Sequence, residues 1–264
     1  MSVKKEANGR RSVQVEVEVP GTPEQVWQAI ATGPGVGAWF VPSEVDGRVG
    51  GTVTSHFGGG MDAVATITEW DAPHRFAAES SWGPNGPTVA TEWIVEARDG
   101  GTCMVRVVHS LFAETDDWDD QLTGTESGWP SFFSILRVYL EHFAGQPSSL
   151  IQLVAFPPAS AGAWEKLAGA LNLAGATPGE RRNAGAGAPS LSGIVETIID
   201  EGAHPQALLR IDLPAPGAVF LGACPAGEKV FLNVNFYLYG ETAAAVAARD
   251  ESAWMAWMTN LFPA

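Results

Sequence analysis

The chain has 264 residues, enough for two domains of ordinary size, and carries 15 Lys plus Arg against 30 Asp plus Glu, a formal net charge of −15. That charge repels nucleic-acid phosphates and anionic membrane surfaces, so neither nucleic acid nor a membrane is expected as a partner. No run approaches the roughly 20 apolar residues that span a bilayer, and Cys103 and Cys224 sit in apolar, strand-like segments of different halves, which argues against a disulfide framework and for free thiols in a reducing cytoplasm.

The first residues, MSVKKEANGRR, are basic but lead into no apolar stretch of the kind a secretion signal needs, and read as a short tail. In SVQVEVEV, Val13, Val15, Val17 and Val19 alternate with Gln14, Glu16 and Glu18, the period of a strand with one buried face. PGTPEQVWQAIAT then supplies Thr22 as an N-cap, Pro23 at the first helical position and Gln25 three residues after the cap. Five strand-like segments follow, GTVTSHF, AVATITEW, RFAAESSW, TVATEWIVEA and TCMVRVVHSLF, separated by Gly-, Pro- and Asp-rich turns: an antiparallel meander. An acidic loop, AETDDWDD, leads to the helix GWPSFFSILRVYLEHF, with Pro130 near its start and an aromatic face that either seals a core or closes over a ligand.

The order strand, helix, meander, long helix then recurs. SSLIQLVAF reads as a strand, PPASAGAWEKLAGALNL as a helix, four further segments as strands, and ETAAAVAARDESAWMAWMTNLF as a closing helix. The sequence thus predicts an α+β chain of two tandem copies, residues 1–147 and 148–264. The copies differ: where the first has GPGVGAWFVPSEVDGRVGG, the second has AGATPGERRNAGAGAPS, which reads as a flexible loop without aromatic residues. Seven of the 10 tryptophans also lie in the first copy. A ligand cavity is therefore expected there, and a reduced, structural or interaction role in the second copy.

The segment AWFVPSEVDGRVGG, with Trp39, Phe40, Pro42, Asp46, Arg48, Gly50 and Gly51, resembles bacterial proteins similar to the activator of Hsp90 ATPase, within the START-like or SRPBCC superfamily. The resemblance implies a helix-grip fold, an antiparallel sheet curled around a long C-terminal helix, with a cavity between them that often holds a small apolar molecule. Members differ in chemistry, from ligand binding to cyclisation and chaperone stimulation, so fold alone selects none of these.

Alternation along the strands turns Val105, Val107, His109 and Leu111 inward, with Val89, Thr91, Trp93 and Val95, and Phe76, Ala78, Ser80 and Trp82. Together with Trp39, and with Trp129, Phe133, Leu136 and Tyr139 of the helix, these predict a ligand-binding wall of Trp39, Phe76, Trp82, Thr91, Trp93, Val107, His109, Trp129, Phe133, Leu136 and Tyr139. Such a lining suits a flat apolar ligand. His109 is either a structural histidine bonded to a neighbour or a group that orients a ligand carbonyl or acts as a base. The expected function is non-catalytic binding or sequestration of a small apolar ligand. The alternatives are a polyketide cyclase- or dehydratase-like enzyme with His109 as base and Tyr139 as hydrogen-bond donor, and a chaperone-activator-like module with a protein partner on the second domain. Asp116, Asp117, Asp119 and Asp120 form either a hard-cation site or a solvated acidic loop ahead of a helix. No metal or cofactor is expected, and Arg48 is read as the brace of a turn.

Overall fold

The computed structural model describes residues 3–81, 86–113, 115–159 and 162–263. The chain divides into two compact units, Met1–Gly145 and Gln146–Ala264. Each is a helix-grip, an antiparallel sheet with a long helix at its C-terminal end.

The first sheet comprises β1 (Lys4–Lys5), β2 (Arg10–Pro20), β3 (Ser43–Val45), β4 (Thr52–His56), β5 (Asp62–Asp71), β6 (Arg75–Ser81), β7 (Thr88–Arg98) and β8 (Thr102–Phe112), in the spatial order β1-β2-β8-β7-β6-β5-β4-β3. The basic opening segment is therefore a strand rather than a free tail: Lys4 pairs with Ser12 and Lys5 with Arg11. In β2 the valines at 13, 15 and 19 are buried and Gln14, Glu16 and Glu18 are exposed, as the alternation requires. Helix α1 (Pro23–Ile30) opens on a complete capping box. The Thr22 side chain accepts from the Gln25 backbone N–H, and the Gln25 side chain accepts from that of Thr22. A short α2 (Gly33–Gly37) follows.

The long helix α3 runs from Asp119 to His142, so it begins well before Gly128 and places Pro130 in its interior. Proline lacks an N–H, which leaves the Glu126 carbonyl without its usual partner one turn later. The early start has a tertiary cause. Arg11, buried on the inward face of β2, donates to Asp116 Oδ1 at 2.6 Å and Asp119 Oδ1 at 2.7 Å, and Lys5 reaches the same two carboxylates. These pairs hold both carboxyls below their ordinary range, the Lys5 hydrogen bond being the largest cause. Two of the four aspartates of the acidic segment thus anchor a helix end.

The second sheet has β9 (Ser148–Ala155), β10 (Arg181–Asn183), β11 (Ser192–Ile199), β12 (Gln206–Leu213), β13 (Gly217–Ala226) and β14 (Lys229–Tyr239), ordered β10-β11-β12-β13-β14-β9. Helix α4 spans only Ala163–Ala170, because Pro157 and Pro158 are used at a bridge to β14 and Gly162 takes a left-handed conformation at the N-cap. The segment expected to be a loop contains β10. Arg182 pairs with Gly193, where a Cβ would meet the Arg210 carbonyl at 2.5 Å, so the close approach requires glycine. The closing helix α5 (Ala243–Leu261) sends Trp254 into the core, 4.6 Å from the Phe236 ring. No helix among the described residues is long and apolar enough to cross a membrane.

Candidate ligand-binding site

The first unit contains a partly open cavity of about 430 Å³. Its floor is the inward face of the sheet: Val53 and Ser55 from β4, Ala63 and Ala65 from β5, Phe76, Ala78 and Ser80 from β6, Val89, Thr91 and Trp93 from β7, and His109 from β8. Ile30, Val36, Trp39 and Phe40 form one side, and Val45 and Phe57 border it. The roof is one stripe of α3, Gly124, Thr125, Gly128, Trp129 and Phe132, at the i, i+1, i+4, i+5, i+8 spacing of a single helix face. Three small residues on that stripe leave the space open; a Cβ built at Gly124 or Gly128 meets nothing within 4 Å.

The aromatic rings interlock rather than collapse. Trp129 stands edge-on to Trp93 at 5.1 Å between centroids and stacks on Phe40 at 5.5 Å, while Phe40 meets Phe132 edge-on at 4.6 Å. Trp39 is fixed from behind by its indole N–H, which donates to the Ala29 carbonyl at 2.9 Å. The Asp46–Arg48 turn supports the adjoining segment. Arg48 folds back onto the Asp46 carboxylate at 2.7 Å, and a Cβ at Gly51 would collide with the Asp46 carbonyl, so this turn accepts only glycine there.

One polar arrangement crosses this apolar interior. The register sets Thr91 directly opposite His109 on neighbouring strands, so their side chains share the inward face. Thr91 Oγ1 lies 3.0 Å from His109 Nδ1, and Trp129 Nε1 donates to His109 Nε2 at 2.7 Å. Burial pushes the imidazole pKa down to about 4, so the ring is neutral at physiological pH.

Of the residues expected on the wall, Trp39, Phe76, Thr91, Trp93, His109 and Trp129 line the cavity. Val107, Phe133, Leu136 and Tyr139 do not: they are buried in the packing beside it. For Phe133, Leu136 and Tyr139 the reason is helical phase, since the residues that pack on the sheet and those that roof the cavity belong to adjacent stripes of α3; Val107, on β8 opposite Trp93, is fully buried. The Tyr139 hydroxyl accepts from the Gly145 backbone N–H at 3.2 Å, beyond the end of the helix. Trp82 lies outside the described residues. Sequence reasoning passed over Phe40, Phe132 and Phe57 as wall residues, and Arg11 as an anchor. Arg11 was detectable, because it continues the odd-numbered inward series of β2.

The interior of the second unit holds a cluster of buried apolar side chains, and a groove of about 390 Å³ lies between β9 and the end of α5, with Gln152, Lys229 and Thr259 among apolar neighbours. The two spaces differ less in volume than in chemistry. Val154, Phe156 and Met255 border this groove and are roughly half exposed.

The chain thus consists of two units of the START-like helix-grip fold, the first of them with a cavity. Residues 20–141 match the family described as "Activator of Hsp90 ATPase homolog 1-like protein". Solved structures with similarity include protein MLL2253 from Mesorhizobium loti, at 20% identity over 50% of this chain and 98% of that one, with a TM-score of 0.45. DynU16, from the dynemicin biosynthetic locus, is 18% identical over 95% of this chain and 96% of its own, with a TM-score of 0.44. The di-domain ARO/CYC BexL, from the BE-7585A biosynthetic pathway, is 15% identical over 96% and 99%, with a TM-score of 0.43. No curated protein matches the chain.

Proposed function

We propose that the first unit binds a small, flat, apolar molecule in its cavity and does no chemistry on it. The observation that carries this reading is the state of His109. A general base needs a free lone pair aimed at the substrate, and both ring nitrogens are already bonded to Trp129 and Thr91. Tyr139, the donor a cyclase reading would use, is tied to Gly145 and does not line the cavity. What remains facing the ligand is aromatic surface with a few hydroxyls, a lining that favours stacking on planar rings. The second unit, whose groove is lined by Gln152, Lys229 and Thr259 among apolar neighbours, is assigned a supporting role. Cys103 and Cys224 are free, which accords with a cytoplasmic setting.

Native mass spectrometry of protein purified from its own host should show a retained small molecule. Titration with an apolar fluorophore should quench tryptophan emission and be weakened by Phe40→Ala and Trp93→Ala. Binding that survives both substitutions and is lost in Trp257→Ala would move the site to the second unit. Turnover of the bound molecule that disappears in His109→Gln, with affinity retained, would replace binding by catalysis.

A further inference from the structure

We infer that the cavity selects ligands carrying a carbonyl-type acceptor, received by the hydroxyl of Thr91; the inference rests on the binding reading above. It follows from the direction of three hydrogen bonds. An indole N–H can only donate, so His109 Nε2, 2.7 Å from Trp129 Nε1, presents its lone pair. The neutral ring then carries its proton on Nδ1, which faces Thr91 Oγ1 at 3.0 Å. Thr91 Oγ1 accepts a hydrogen bond from that N–H, and its own O–H must point elsewhere. The reverse order would place a proton on Nε2 and set two N–H groups head to head at 2.7 Å.

Among the described residues Thr91 Oγ1 has no partner besides His109. It lies on the cavity wall, so the free O–H is available to whatever fills the cavity. The other hydroxyls on the wall are not held in this way. Thr125 donates to the Gln121 carbonyl, Ser55 shares a contact with Ser43, and Ser80 has no hydrogen-bond partner among the described residues to fix its rotamer. A hydroxyl turned away from its own histidine by a buried Trp–His pair is kept available as a donor, and it discriminates by leaving itself unpaired when the ligand lacks an acceptor. The class of ligand that satisfies both the aromatic wall and this donor is a planar polycyclic ketone or quinone.

The test compares fluorenone with fluorene, tricyclic probes that differ by one carbonyl. In wild-type protein the carbonyl stretching band of bound fluorenone should lie below its position in an alkane solvent, as a hydrogen-bonded carbonyl does. Thr91→Val should weaken fluorenone about fivefold, within the usual range for one neutral hydrogen bond, and leave fluorene unchanged or tighter, while Thr91→Ser should restore fluorenone binding. If Thr91→Val weakens neither probe, or the wild-type band is unshifted, the acceptor inference fails and the binding reading stands. If wild-type protein binds neither probe, both fail. Should Thr91→Val not fold, the wild-type band decides.

Discussion

At the scale of single residues, His109 makes the protein's stability depend on pH in a defined window. Its folded pKa of about 4 lies below the ordinary 6.5, so between those values the unfolded chain binds a proton that the folded one refuses. Stability is therefore complete above about pH 6.5 and declines as pH falls toward 4. By linkage the loss between pH 7.5 and 4.5 is roughly 2–3 kcal/mol, measurable by denaturant titration at the two values. His109→Gln should flatten this window. Asp116 and Asp119 act in a lower range, since their depressed folded values keep their contribution intact until pH drops below the ordinary carboxylate value near 3.8. Trp129→Phe removes the donor to Nε2 and leaves a buried acceptor unpaired, a loss of about 1–3 kcal/mol readable in the same titration at pH 7.5.

At the scale of elements, α3 is two helices in function. Its C-terminal half packs Phe133, Leu136 and Leu140 into the core, while its N-terminal half, QLTGTESG, presents glycine and threonine to the cavity. Glycine in a helix interior is unfavourable by about 1 kcal/mol relative to alanine, so its presence at 124 and 128 has a use: it leaves volume for a ligand. Gly124→Ala should therefore stabilise the first unit by up to about 1 kcal/mol, seen as a raised midpoint of denaturation. Gly128→Leu should fill the cavity and abolish fluorophore binding while the protein remains folded; retained binding would mean that this stripe is not the roof. The same half depends on its anchor. Arg11→Met should leave the sheet intact yet speed amide hydrogen exchange in residues 119–127, because among the described residues Asp116 and Asp119 would keep only Lys5 as a cationic partner.

At the scale of the whole molecule, each unit has its own sheet, helix and buried interior. A chain ending after Gly145 should accordingly fold and bind the apolar fluorophore as tightly as the full protein. A truncated chain that is folded by circular dichroism but fails to bind would show that the second unit completes the site. Thermal unfolding of the full chain is expected to depart from a single two-state transition, since two cores of different composition need not melt together.

The sequence by itself determined what is local. Alternation in β2, β7 and β8, the Thr22–Gln25 capping box and the turn residues settle by steric and hydrogen-bonding rules within a few positions, and the repeat of strand, helix, meander and helix set the two-copy architecture. Alternation also turned Thr91 and His109 inward. What only the tertiary structure decided depends on partners distant in the chain. Whether Phe132 or Phe133 faces the cavity follows from the rotation of α3 against the sheet, and a step of about 100° per residue separates the two. The helix begins at Asp119 because Arg11, more than a hundred residues earlier, meets it there. The tautomer of His109 depends on Trp129 and Thr91 arriving at its two nitrogens from different elements, and no spacing along the chain encodes that encounter.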